Sequence, residues 1–187
     1  CSAIDCVSTG DITGAQAGGI FGCNANYFSI NASECLAINC HSEGSINGDN
    51  SGGIFGYSTN YSSNNGTCNA IKCFSIGIIN GASSGGIFGT SSNVSSNGTC
   101  SAIDCYSMGE IYDGNAGGIF GSSTNVNSTS EPTAEAINCY SKGQITGIYS
   151  GGIFGASANY GSNGICKANN CYSFGIIVGS SSGGIFG

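Results

Sequence analysis

Gly-Gly-Ile-Phe-Gly at 18–22 returns at 52–56, 85–89, 117–121, 151–155 and 183–187. Successive copies start 34, 33, 32, 34 and 32 residues apart. A period near 33 residues marks a repeat architecture: each unit is one supersecondary element that buries its apolar face only against its neighbours. Working backwards from each copy, a cysteine lies four residues before a glycine, and the doublet follows eight residues after that glycine. The cysteines are Cys6, Cys40, Cys73, Cys105, Cys139 and Cys171. The block from cysteine to final glycine spans 17 residues and never changes length. All length variation falls between its last glycine and the next unit's first cysteine position (Cys35, Cys68, Cys100, Ala134, Cys166), a stretch of 12, 11, 10, 12 and 10 residues. Variation is tolerated where backbone is solvated, so the block reads as stacked scaffold and the stretch as containing a loop.

Within the block, Ile103, Cys105 and Ser107 share one parity, and Asp104 and Tyr106 the other. The Asp104 position is polar in every unit (Asp5, Asn39, Lys72, Asn138, Asn170), which predicts Ile, Cys and Ser pointing inward. A second short strand is expected around Ile12, Ile46, Ile79, Ile111, Ile145 and Ile177, and a third at Gly-Gly-Ile-Phe-Gly. Glycine at the corners supplies positive φ and close backbone approach. The 34 glycines, the β-branched residues and the lack of a 3.6-residue stripe argue against helix. Three short strands per unit describe an all-β fold, a β-solenoid (parallel β-helix) of six coils, on the order of 30 Å long. The units run 1–34, 35–67, 68–99, 100–133, 134–165 and a shortened 166–187. A six-bladed propeller needs about 40–50 residues per blade, more than these units hold. The Ile20–Ile185 and Phe21–Phe186 positions predict two ladders on opposite sides of a strand. One should line the core, and the variable stretch should cover the other.

The run Ile-Asn-Cys-Tyr-Ser-Lys-Gly-Gln-Ile-Thr-Gly at 137–147, with Gly-Gly-Ile-Phe-Gly at 151–155, resembles the GLUG repeat. The resemblance extends over all six blocks, about half of the chain. Here Ile-Phe replaces the usual aliphatic pair and a second cysteine column precedes the strand. The resemblance implies a β-solenoid of secreted or cell-surface, adhesin-like proteins and no catalytic residue.

Composition narrows function. Charged residues are 7% of the chain, and Lys72, Lys142 and Lys167 are its only basic side chains. That is too few to replace counterions, which excludes nucleic acid as a partner. No apolar run reaches the 18 residues of a transmembrane segment. A lone histidine, His41, and scattered carboxylates suggest no nucleophile–base pair, no cofactor and no enzyme.

Twelve cysteines fall in two repeat-locked columns plus Cys23. Structural zinc wants Cys-x₂₋₄-Cys matched by a second ligand pair, and five identical Cys-x₄-Cys units with a single histidine fit that poorly. Disulfides in an oxidising compartment fit better. Co-occurrence within units predicts Cys1–Cys6, Cys35–Cys40, Cys68–Cys73, Cys100–Cys105 and Cys166–Cys171. A straight strand sets positions five apart on opposite faces, so a turn must intervene. The rival scheme joins each second cysteine to the first of the next unit, as Cys6 to Cys35. Ala134 replaces the first cysteine of unit five, which leaves Cys139 over, with Cys23, to cross-link neighbours.

Six N-glycosylation sequons, at Asn31, Asn60, Asn65, Asn93, Asn97 and Asn127, all lie in the variable stretches. An asparagine also recurs four residues after each motif at Asn26, Asn60, Asn93, Asn125 and Asn159. A buried or turn ladder there would compete with glycans at Asn60 and Asn93. Neither end has a distinct cap, so further repeats, or copies stacked end to end, are expected partners. These features point to a structural extracellular protein, a disulfide-braced, glycosylated fibre or surface adhesin. The alternative is a glycan- or ice-binding solenoid. Ice binding needs a regular Thr or Ser array, and the column Thr13, Asn47, Asn80, Tyr112, Thr146, Val178 is irregular.

Overall fold

A computed structural model describes residues 1–128 and 133–187. The chain winds as a β-solenoid. Each coil contributes one strand to each of two parallel six-stranded sheets. The first sheet holds β1 (Ser2–Ile4), β3 (Glu34–Ile38), β5 (Thr67–Ile71), β7 (Thr99–Ile103), β9 (Thr133–Ile137) and β11 (Ile165–Asn169). The second holds β2 (Val7–Ser8), β4 (His41–Ser42), β6 (Phe74–Ser75), β8 (Tyr106–Ser107), β10 (Tyr140–Ser141) and β12 (Tyr172–Ser173). Register is strict: Ala37 pairs Ala70, Ala70 pairs Ala102, and Ala102 pairs Ala136. Like meets like on this inward rung because every coil keeps the same length from its first cysteine position to the end of the motif.

The two other expected strands are single rungs. Ile46 bridges Ile12 and Ile79, and Gly52 and Phe55 bridge their counterparts in both neighbouring coils, with a bend between. That bend decides the packing of the motif. Ile54, Ile87, Ile119 and Ile153 are fully buried, as are Phe55, Phe88, Phe120 and Phe154, and all belong to one core with the cysteines and alanines. The ladders form as expected, but both face that core, since adjacent residues on a bend need not alternate. The phenyl rings stack in a file from Phe21 to Phe186, 4.7–5.0 Å apart and within 3–6° of parallel. A second, smaller core runs along Ile12, Ile46, Ile79, Ile111 and Ile145.

Inward parity also differs from expectation. Ala37, Ala70, Ala102 and Ala136 point inward, while Ile38, Ile71, Ile103 and Ile137 are only half-buried. The cause is the next residue: Asp5, Asn39, Lys72, Asp104, Asn138 and Asn170 all adopt left-handed backbone, with φ of 52–54°. This corner resets the alternation, so Cys105 and Ser107 point inward as read. Asparagine, aspartate and serine fill most left-handed corners, and among the described glycines only Gly161 has positive φ. Most of the glycines in the interior coils are there for space. A Cβ on Gly85 would run into the Phe88 carbonyl oxygen, and one on Gly86 into the next coil's Gly118 carbonyl and the Ser107 hydroxyl.

The variable stretch holds a further wall. Ser58 N donates to Thr90 O at 3.0 Å and Asn60 N to Ala25 O at 2.8 Å, rung upon rung. This wall closes over the first cysteine column, where Cys100 Sγ lies 3.9 Å from Thr59 O.

Candidate functional site

The repeat concentrates its chemistry in columns, one residue type per coil. The first cysteine column reads Cys1, Cys35, Cys68, Cys100, Ala134, Cys166 in register along the first sheet. Its one disulfide among the described residues joins Cys1 to Cys35, in the next coil. The within-coil pairs Cys1–Cys6 and Cys35–Cys40 are therefore corrected. The intervening turn exists, at Asp5 and Asn39, but it puts the two cysteines of a coil on different walls. Cys68, Cys73, Cys100, Cys105, Cys166 and Cys171 are free thiols, so the other three within-coil bonds are likewise not formed. Cys23 is an exposed thiol. Cys139 is buried and faces Cys105 and Cys171, out of reach of a neighbouring molecule.

The second column runs Cys6, Cys40, Cys73, Cys105, Cys139 and Cys171. Each of its thiols from Cys40 onward points at main-chain oxygens, as Cys105 Sγ does at Ala70 O (3.4 Å) and Ile103 O (3.3 Å). Neighbouring thiols in this file also lie close enough to act on one another's ionisation. Bonds from Cys105 first, then Cys171, hold the Cys139 thiol well below its usual range. Burial, ahead of its contacts with Cys139 and Cys73, pushes Cys105 up. In the first column burial drives Cys166 up to about 12 and Cys100 well above its ordinary value.

The asparagine column is an amide ladder. Asn26 Nδ2 donates to Asn60 Oδ1 at 2.8 Å, Asn60 to Asn93 at 2.7 Å, Asn93 to Asn125 at 3.0 Å and Asn125 to Asn159 at 2.9 Å. Asn60, Asn93 and Asn125 are fully buried. Two of the six sequon asparagines thus stand inside the protein with their amide nitrogens engaged, and this removes Asn60 and Asn93 as glycan sites on the folded chain. Asn31, Asn65 and Asn127 are exposed, and Asn97 is half-buried with its Nδ2 2.9 Å from Asn64 Oδ1. The hydroxyl residue of the Asn127 sequon, Thr129, lies outside the described residues.

On the outer face of the second sheet, His41, Phe74, Tyr106, Tyr140 and Tyr172 stack with centroids 4.4–5.3 Å apart and planes within 2–7°. Lys142 Nζ sits 5.4 Å over the Tyr140 ring. Each interior ring covers the faces of its neighbours, so solvent meets mostly edges. A shallow polar groove is lined by Ser62, Ser63, Asn64, Ser95, Ser96, Asn97 and Asn127. Among the described residues no group of three or more His, Cys, Asp or Glu side chains is arranged to hold a metal ion, and no helix is long and apolar enough to cross a membrane. The one acidic partner of His41 among the described residues is Glu43, at 3.4 Å. The serine hydroxyls of Ser42, Ser75, Ser107 and Ser141 are buried without a hydrogen-bond partner or a base.

The column logic had a sequence signal in the fixed offset of each residue from the motif. The serine before the glycine doublet was not singled out. Ser51 Oγ accepts from Ala17 N and donates to Gly14 O, both at 3.0 Å, and so staples one coil to the one before. No protein-family model, curated protein or solved structure matches the chain.

Proposed function

We propose that the chain is a non-catalytic structural element of an extracellular fibre or surface adhesin, a GLUG-like β-solenoid braced by disulfides and carrying N-linked glycans. The observation that carries this reading is the in-register stacking of coil on coil through every wall. Phenyl, amide, thiol and backbone ladders all run along one axis, and their chemistry is spent on holding coil to coil. Such a rod resists unfolding from within and gains length by adding coils. Twelve cysteines and exposed sequons suit an oxidising secretory route. Stacked rings that offer their edges disfavour the glycan-binding alternative, because sugar stacking uses ring faces.

The test is secretion of the chain from eukaryotic cells, followed by negative-stain microscopy and cell-surface labelling of the natural host. Rods or filaments at the surface support the proposal. A protein confined to the cytosol with all thiols reduced, or one that turns over a polysaccharide, refutes it. Thermal hysteresis in solution would move the reading to ice binding.

A further inference from the structure

The cysteine columns carry an inference about which bonds brace the rod. It rests on the oxidising-compartment part of the proposed function. Cys1 and Cys35 are joined across neighbouring coils with Cα atoms 4.6 Å apart. Stacked coils keep every in-register pair near about 4.8 Å, inside the Cα separation that disulfides accept. With Cys35 engaged below and Ala134 above, Cys68 and Cys100 have only each other as in-register thiol neighbours. Cys166 faces Ala134 and has no thiol there. In the second column Cys73 touches both Cys40 and Cys105, and Cys139 touches both Cys105 and Cys171, so two pairing frames compete. A bond in one column holds the same two coils together at the other, which raises the effective concentration of that pair.

We propose that both columns oxidise in the frame set by Cys1–Cys35, giving Cys68–Cys100, Cys6–Cys40, Cys73–Cys105 and Cys139–Cys171 and leaving Cys166 and Cys23 as thiols. Each bond forms by two exchanges with an external disulfide, a small molecule or an oxidoreductase. One cysteine thiolate attacks it, its S–S bond breaks and one carrier thiolate leaves. The neighbouring thiolate then attacks the mixed disulfide and expels the second carrier thiolate. Two protein thiols lose two protons and two electrons, and the carrier gains the electrons. Cys68 and Cys100 are fully buried, so exchange takes place as the coils dock.

The test reduces the full chain, refolds it in a glutathione redox buffer and maps it without reduction. Trypsin cuts after Lys72, between Cys68 and Cys73, chymotrypsin cuts after Phe88, between Cys73 and Cys100, and an Asp-specific protease cuts before Asp104, between Cys100 and Cys105. Expected are linked Cys68–Cys100 and Cys73–Cys105 peptides, with Cys166 and Cys23 open to alkylation. Cys100→Ala should free Cys68 alone and leave Cys73–Cys105 in place. Within-coil links, links in the other frame (Cys40–Cys73, Cys105–Cys139), or a natively folded product with all core thiols reduced would overturn the proposal. Material from the natural source separates the two readings. Reduced thiols there, with the expected links on refolding, sink the compartment and keep the pairing.

Discussion

Asn93 belongs to a column that one changed atom can break. Its amide nitrogen donates to Asn125 Oδ1 at 3.0 Å, Gly98 O at 3.0 Å and Thr133 O at 3.1 Å, and its oxygen accepts from Asn60 at 2.7 Å. Replacing Asn93 by alanine leaves buried partners above and below without their bonds, a loss of about 2–4 kcal/mol. Asn93→Asp should be worse, since a carboxylate oxygen would then face Asn125 Oδ1 in a site that excludes water. The exposed Asn31, whose backbone is outside the left-handed region, serves as control: Asn31→Gln should change stability by less than about 0.5 kcal/mol. Urea unfolding of the three variants checks the order. The same geometry governs modification. A glycan is attached through Nδ2, so a chain modified at Asn60 or Asn93 cannot close its ladder. Peptide mass spectrometry of folded, secreted protein should find sugar among Asn31, Asn65, Asn97 and Asn127 and none at Asn60 or Asn93. Occupancy at Asn93 in folded material would contradict the buried ladder.

At the scale of the element, the glycine doublet is tight because the chain bends there and a neighbouring coil lies against it. Gly85→Ala drives a Cβ into the Phe88 carbonyl oxygen and toward the Gly121 backbone nitrogen, both main-chain atoms that cannot swing aside. The expected cost is at least about 3 kcal/mol. Gly10→Ala, with nothing within 4 Å of its Cβ, should be close to silent in the same thermal melt. These walls were partly legible beforehand. Period, constant block and aromatic and aliphatic ladders follow from residue identity at fixed offsets, and the stack follows from them. The inward face of the first sheet was not legible. It depends on a left-handed corner that Lys72 occupies as readily as Asp104, and a lysine gives no hint of positive φ. Glycine, the usual signal for such corners, is used here for close approach instead. The variable stretch carries two signals: its changing length marks a loop, and the invariant asparagine at its fourth position marks the buried ladder, as its recurrence suggested. The cysteine pairing turned on the same hidden corner, since spacing along the chain does not reveal which wall each sulfur joins.

For the whole molecule, nearly all long-range order is between adjacent coils, so stability should behave as a sum of coil terms and coil–coil interfaces. Such a rod ought to tolerate losing one whole coil and not half of one. Deleting 68–99 joins Gly66-Thr67 to Cys100 and recreates the Gly98-Thr99-Cys100 junction residue for residue. Ala37 then meets Ala102, Phe55 meets Phe120 and Asn60 meets Asn125, the same kinds of contact that each makes now with the excised coil. The shortened chain should keep a native-like circular dichroism spectrum and unfold with a smaller denaturant dependence, since less surface is exposed. Deleting 68–83 instead puts Ser84 where a first-sheet strand must begin. The coil is then too short to return to its own column, and the thiol, phenyl and amide files are interrupted together. That variant should lose cooperative unfolding and aggregate through its unpaired edges. Equal damage from both deletions would mean that contacts beyond nearest neighbours hold the rod. Survival of the half-coil deletion would mean that register is not what holds it.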